Sequence, residues 1–454
     1  MKSLLLGSAA GLVAVAGAQA ADLPLKAKPA EYVKVCSVYG AGFYYIPGTD
    51  TCIKLGGFVR AEYGFNANAG SHSPPINGTL GTDTRNSAQY TTRVRSAVTV
   101  DARTQTEYGT LRSYIQGGWE LNSGDANYRG TIFFYRGFVQ FAGFTFGKTQ
   151  SFFAFYSNAL NYTTEVGGGY SDAGLNVIAY TAQFGGGFSA SISAEDAAQT
   201  RGGLYDASAG GTQLVVSGLP TAGTGAGSGD YAGTRFPDIV ANLRVDQPWG
   251  SAQLSGAVHD VYASYVGANV NTNPGGGSAT GWAVQGGVKF NLPWAQGDSL
   301  WIQGTWARGA ANYLGFNPYV HFSGQIAMYG GSPAAGCGPA GAGSCGNVGL
   351  AWGLDGVFNG TNGVQLTEGW SVNAAVEHYW TPALRTSLFG HYTVLDFPGA
   401  AGNLASARGA FCAGALTGSV AALPGANCDP SFSVMQIGLR TIWQPVRNLD
   451  LGVE

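Results

Sequence analysis

Charge is scarce in this sequence. Only 11% of its 454 residues are Asp, Glu, Lys or Arg, against about a quarter in an ordinary soluble domain. The 23 basic and 26 acidic residues leave a formal net charge of −3. The basic ones are too few and too scattered for a nucleic-acid surface. Beyond the first 20 residues, no apolar run of 18 or more occurs. A helix crossing a bilayer needs about 20, so helical spans are excluded. No strict three-residue glycine period appears, which excludes collagen. The five histidines, His72, His259, His321, His378 and His391, do not cluster with one another or with cysteine in a ligand spacing, so no metal is implied. No Gly-x-Ser-x-Gly elbow with a triad and no Walker-type loop is present, and no nucleophile stands beside a base. The sequence therefore proposes neither an enzyme nor a cofactor, and Glu377-His378 reads as a strand-end pair at an interface.

Glycine and aromatic residues are abundant. There are 73 Gly, 23 Tyr, 23 Phe and 10 Trp, and the aromatics recur with β-branched residues in short dense runs, unlike a disordered chain. The first residues read as a secretory signal peptide over 1–20. Lys2 gives the positive start, an apolar stretch runs from Leu4 to about Ala18, and Ala18-Gln19-Ala20 is the cleavage site. An exported chain that crosses lipid without helices must cross as a closed barrel, because every backbone polar group needs a partner there. Six cysteines, Cys36, Cys52, Cys337, Cys345, Cys412 and Cys428, suit an oxidising compartment. Pairing of sequence neighbours would join Cys36 to Cys52, Cys337 to Cys345 and Cys412 to Cys428, among fifteen formal connectivities.

Alternation supports the barrel. Over Cys52–Phe65, Ile53, Leu55, Val59, Ala61 and Tyr63 share one parity, and Lys54, Arg60 and Glu62 the other. Val94, Val98, Val100 and Ala102 alternate with Arg93, Arg95, Thr99, Asp101 and Arg103. Leu111, Ser113 and Ile115 alternate with Arg112, Tyr114 and Gln116. Tyr135, Val139 and Phe141 alternate with Arg136 and Gln140, ahead of a tight return at Ala142-Gly143. Tryptophan–proline turns recur at residues 247–250, 292–297, 380–384 and 443–447. Proline there breaks no ladder, and tryptophan suits an aromatic belt at the membrane interface. Long connections at about 197–233, 263–279, 309–362 and 396–430 alternate with these short turns, which places the short ones on the periplasmic side. Fourteen complete strands are expected, with a fifteenth beginning at Asn448.

The parity that avoids lipid collects Lys54, Arg60, Arg93, Arg95, Arg103, Arg112, Arg136 and Lys148. Charges facing lipid are costly at mid-depth, so these form a basic inner wall, with Arg103 and Lys148 candidates for the rim. After Lys148 the segment 150–175, with Glu165 and Asp172, either folds inward, setting acids across from the basic wall, or lies outside as a surface loop. Phe152, Phe153, Phe155 and Tyr156 would form a sliding surface for solutes or anchor the segment to the wall. The functions in view are a water-filled diffusion pore, a substrate-selective channel, and a structural or adhesive barrel with a closed lumen.

The run Glu31–Cys36, followed by Gly40-Ala-Gly-Phe-Tyr-Tyr-Ile-Pro-Gly-Thr-Asp-Thr-Cys-Ile-Lys-Leu-Gly-Gly57, resembles the general porin family of alphaproteobacteria such as Rhizobiales and Brucella. The Tyr135–Gln150 region and the tryptophan–proline turns are similar as well. The resemblance implies an all-β, 16-stranded transmembrane antiparallel barrel over residues 52–454, behind an amino-terminal stapled extension at 21–51. It implies a homotrimer in outer-membrane lipid and lipopolysaccharide, passing ions and small hydrophilic solutes. It also implies an inward-folded constriction loop at 150–175 with Glu165 and Asp172 as its acids, set against Arg60, Arg93, Arg95 and Arg112. Members of the family continue past a turn like Trp443–Leu449 to a closing strand ending in an aromatic residue. This sequence stops at Glu454, so the closing strand is expected to be missing and a seam is expected beside the first strand.

Overall fold

The computed structural model describes residues 34–65, 90–123, 130–162, 174–199, 201–206, 231–263, 277–315, 325–329, 349–359, 362–400, 402–411 and 429–454. The signal segment, Glu165, Asp172 and the cysteines 337, 345, 412 and 428 lie outside them. The strands are β1 (Tyr44–Tyr45), β2 (Thr51–Phe65), β3 (Tyr90–Thr106), β4 (Gly109–Asn122), β5 (Thr131–Phe141), β6 (Phe144–Thr149), β7 (Leu175–Gly185), β8 (Phe188–Glu195), β9 (Gly203–Asp206), β10 (Asp238–Gln247) and β11 (Gly250–Tyr262). They continue with β12 (Ser278–Asn291), β13 (Ser299–Arg308), β14 (Gln325–Tyr329), β15 (Gly349–Trp352), β16 (Leu354–Asn359), β17 (Gly363–Leu366), β18 (Glu368–Thr381), β19 (Leu384–Asp396), β20 (Phe432–Val446) and β21 (Leu449–Val453).

Sixteen of these form one sheet, in the order β1 to β8, β10 to β13, and β18 to β21. Every neighbouring pair is antiparallel. The fourteen expected strands are β2–β8, β10–β13 and β18–β20, and the fifteenth begins at Leu449, one residue later than read. The sixteenth, β1, was not foreseen. It exists because the stapled amino-terminal segment folds back and pairs Tyr44 with Ile53 and Tyr45 with Cys52. Among the described residues no ladder joins β1 to β21.

Alternation sets what each face of this sheet meets. Val59, Val98, Ile178, Leu254 and Ile437 are large, apolar and exposed, as side chains against hydrocarbon must be. The opposite face of the sheet carries Asn242, Gln253, Gln285, Gln303 and Asn373, all buried. The return at Ala142-Gly143 holds positive φ at both residues, 48° and 87°. That is the primed hairpin geometry whose twist matches the flanking strands.

Two sequence readings need correction. A bulge between Gln116 and Gly117 leaves Tyr135 as an extra residue in β5. Its hydroxyl therefore accepts from Arg95 on the inner wall, and Tyr135 does not share the lipid-facing parity of Val139. The connections read as simple loops also carry structure. β9, β16 and β17 form a three-stranded sheet, and β14 pairs with β15.

The apolar core sits inside the barrel, off-centre. It joins inward residues of β10–β13 (Val240, Ala257, Ala283 and Ala307) to Phe153, Tyr313, Leu354, Val357 and Leu395. Small inward residues on these strands leave room for the connections to pack against the wall.

Val98 and Thr99 test the parity directly. Val98→Arg is expected to lower stability by about 2–4 kcal/mol, while Thr99→Arg is tolerated. Urea unfolding of the detergent- or liposome-refolded protein measures both.

Candidate functional site

The basic wall forms on β2–β5, interleaved with acids. Arg60 and Arg93 both meet Glu62, at 3.3 Å for Arg60. Arg95 pairs with Glu120 and donates to the Tyr135 hydroxyl at 2.9 Å. Register explains the match: Arg95 lies opposite Arg60 on β2 and Glu120 on β4, and Arg93 lies opposite Glu62. Nearer the β3–β4 turn, Asp101 takes bonds from Arg103 (2.7 Å) and Arg112 (3.0 Å), and Arg112 also donates to Gln140. Arg136 donates to the Tyr135 carbonyl and Lys148 to the Phe134 carbonyl.

Aromatic rings set the angle of several of these cations. Arg95 lies over Phe133 and Tyr135, at 5.0 and 5.3 Å from the ring centres. Arg112 lies over Tyr114 and Phe138, at 5.1 and 5.3 Å, and those two rings stack on each other. A stacked, hydrogen-bonded guanidinium is held in one orientation and keeps its charge. Lys54, Arg60, Arg93, Arg95, Arg103, Arg112 and Arg136 outnumber Glu62, Asp101 and Glu120, so this wall is basic on balance; Lys148, expected beside them, instead shares the outward parity of the exposed Phe144 and Phe146 on β6.

The segment after Lys148 runs along the opposite wall as far as it is described. Near its start, the Ser151 hydroxyl (2.6 Å) and the Phe152 N–H (2.9 Å) donate to the buried Glu195 carboxylate. A ladder of side-chain amides on successive strands then grips its backbone. Asn242 on β10 donates to the Phe152 carbonyl. Gln253 on β11 reaches the carbonyls of Phe152, Phe153 and Ala154. Gln285 on β12 donates to the Phe153 carbonyl at 2.7 Å, and Gln303 on β13 accepts from the Tyr156 N–H at 2.9 Å.

Side chains of the segment fill the spaces between these bonds. Phe155 and Tyr156 pack on Trp301, and Gly287 is bare where the Phe155 ring lies. Tyr156 and Leu160 pack with Ala375 and Phe389. At the far end Arg440 lies over the Tyr162 ring, and the Tyr162 N–H donates to Glu454 at 2.6 Å. Phe153, Phe155 and Tyr156 are buried, as anchors would be and a sliding surface would not.

A second buried network ties the outer connections to the wall. His259 on β11 bonds Asp238 on β10 at 2.7 Å and meets Asp355 on β16 at 3.5 Å, and all three are fully buried. Tyr313 donates to Asp238, Tyr231 donates to Asp355, and the N–H groups of Gly202 and Ala311 complete the Asp355 shell. Burial and the adjacent Asp355 carboxylate push the Tyr231 hydroxyl well above its ordinary pKa, so it stays a donor. Tyr313 also meets Phe153 edge to face at 4.6 Å. The outer cap and the inward segment are thus packed as one body against β10–β19.

These placements sort the sequence readings. Lys54, Arg60, Arg93, Arg95, Arg112 and Arg136 share the inner face of β2–β5. Cys36 and Cys52 are bonded. Glu377 is buried on β18, bonded to Ser387 and Arg440, and His378 bonds Asp298. The roles of Glu120 and Glu195, the amide ladder and the His259 network were not foreseen. The amides stand on the inward parity of successive strands, which is a legible signal. Their partners are backbone atoms some 90 to 150 residues away in sequence.

Comparison with known proteins agrees with this geometry. The family described as porin subfamily matches residues 22–454. Porin Omp2b of Brucella neotomae is 34% identical over 318 residues, which span 64% of this chain and 80% of that protein. Porin Omp2a of Brucella abortus (strain S19) is 34% identical over 299 residues, spanning 64% and 79%. The outer membrane channel DcaP of Acinetobacter baumannii has a similar fold, with a TM-score of 0.56 and 14% identity over 90% of this chain and 91% of that one.

Removing the amide ladder should free the inward segment. Each buried carbonyl left without its donor costs about 1–3 kcal/mol. Gln253→Leu with Gln285→Leu is expected to speed amide hydrogen exchange across residues 151–162 and to add open-state current noise, with the barrel strands still protected.

Proposed function

We propose, from the premise that this chain belongs to the porin subfamily and is an outer-membrane porin, that its water-filled path runs along the β2–β5 wall and sorts ions and small hydrophilic solutes there by width and charge. The single observation that carries this reading is the asymmetry of the interior. The inner faces of β10–β19 are covered by the inward segment and the outer cap, whereas the arginine-bearing face carries side chains such as Lys54, Arg60, Arg103 and Arg112 that remain partly exposed.

Charges lining a narrow aqueous path act on whatever passes. A guanidinium about 5 Å from a monovalent ion contributes roughly 1 kcal/mol at the dielectric constant of water, and more where water is excluded. Several of them change the ion ratio severalfold without binding any ion tightly, which suits rapid passage. The inward segment at 150–175 is the narrowing in this reading. Glu165 and Asp172 are its proposed acids, set against Arg60, Arg93, Arg95, Arg112 and Arg136. The protein is assigned passage and no catalysis.

The same proposal places the chain in outer-membrane lipid beneath lipopolysaccharide, as a homotrimer with one path per subunit. The outward parity of β2 and β3, with Leu55, Gly57, Val59, Ala61, Val98 and Ala102, is smooth enough to pack against a neighbour. A substrate-selective channel differs from this reading by saturable current block with one solute class.

Bilayer recordings test the charge assignment. Arg93→Gln with Arg95→Gln is expected to move the reversal potential in a KCl gradient toward the cation limit. The shift should be largest at low salt, because screening extends only about 10 Å at 0.1 M. An unmoved reversal potential would remove these residues from the path, and the absence of any conductance step would remove the channel reading itself. Light scattering in detergent should return three times the mass of one chain.

A further inference from the structure

The amino-terminal segment closes on itself through the Cys36–Cys52 disulfide. Cys52 stands on the parity of β2 shared by Lys54, Arg60 and Glu62, which is the inner face. The bond therefore sets residues 36–43 against the inside of the wall, while Tyr44 and Tyr45 extend the sheet as β1. Contacts of the segment agree with this. Phe43 is buried, with the Lys54 ammonium 5.7 Å and the Arg103 guanidinium 4.8 Å from its ring centre. Tyr39 lies 5.5 Å from Arg103, and its hydroxyl donates to Gln105 at 3.3 Å. The backbone closes the loop through Cys36 N–H to the Phe43 carbonyl and Tyr45 N–H to the Lys34 carbonyl.

The depth of this contact separates it from the narrowing already described. Arg103 and Gln105 lie at the last inward positions of β3, next to the two-residue turn into β4. Short turns of this kind mark the periplasmic end. Arg95, at the other charged cluster, is eight residues back along β3, which at about 3.3 Å per residue places it more than 20 Å away along the strand. The segment thus sits over the wall at one mouth. It is held by a covalent bond and by cations stacked on its rings, and Lys54 remains exposed beside it.

We propose that the disulfide-closed segment Cys36–Cys52 is a second constriction, at the periplasmic mouth, in series with the one formed by the inward segment, and that Lys54 and Arg103 set the charge that solutes meet there. The proposal rests on the channel reading above. Its natural consequence is asymmetric exclusion: the two mouths admit solutes of different size.

Planar-bilayer recordings of the purified full chain, with neutral polyethylene glycols of graded size in one chamber at a time, test this. In the Cys36→Ser, Cys52→Ser double variant the periplasmic mouth should admit larger polymers than in the unmodified protein, while the exclusion size at the external mouth stays the same. Phe43→Ala keeps the disulfide but removes the ring beneath both cations, and should move the periplasmic limit in the same direction. If the double variant does not insert, reducing the unmodified channel after insertion, with a phosphine in the periplasmic chamber, makes the comparison on protein already folded. An unchanged periplasmic limit under these treatments overturns the second constriction and leaves the channel standing. Loss of every conductance step in the unmodified protein overturns both.

Discussion

Lipid offers no hydrogen bonds, and the rest of this structure follows from that constraint. Each backbone N–H and C=O crossing the bilayer must find its partner within the protein. Strands paired edge to edge meet that demand along a sheet of sixteen, up to its edges at β1 and β21, which no ladder joins among the described residues. Once the backbone is satisfied, side chains are divided by parity alone. Val98 faces outward and Thr99 inward because they are neighbours in one strand, and the same rule commits Arg93, Arg95, Asp101 and Arg103 to one face. The function of that face is therefore inherited from a requirement of the backbone.

The interior then divides its labour between two kinds of polar group. On β2–β4 the charges are arranged in alternation across the strands. Arg95 lies beside Glu120, Arg93 beside Glu62, and Arg103 and Arg112 share Asp101. Each acid reduces the repulsion between clustered cations without cancelling their sum. On β10–β13 the anchoring groups are neutral amides, donating to or accepting from the backbone of the inward segment. A carboxamide can satisfy a buried peptide group without introducing a charge that would itself need a partner. The charged face of β2–β5 acts on solutes, and the amides of β10–β13 hold the middle of the obstacle in place.

Much of the architecture was legible because its signals are local. Alternation over Cys52–Phe65 and Tyr90–Arg103, the Ala142-Gly143 return and the tryptophan–proline turns each depend on residues next to one another. The basic wall was legible for the same reason, since parity identifies Arg60, Arg93, Arg95 and Arg112 one strand at a time. The bulge that turns Tyr135 inward was not, because the sequence reads as unbroken alternation there and the slip shows only in the pairing with β4. Nor were the contacts that hold the inward segment or the outer cap. Glu195 meets Ser151 across 44 residues, and Tyr231 meets Asp355 across 124. Such pairs leave no spacing to read, and the small strands β9, β16 and β17 looked like loops because each is only four to six residues long.

The amide anchoring of the middle of the inward segment, from Phe152 to Tyr156, has a consequence of its own. Dissolved salt weakens attraction between exposed ions but leaves amide-to-carbonyl bonds in a dry seam nearly untouched. As the surroundings change from fresh to briny, the preference of the conduit for one sign of ion should fade while its bore stays constant. A cell would keep its sieve and lose only its electrical taste.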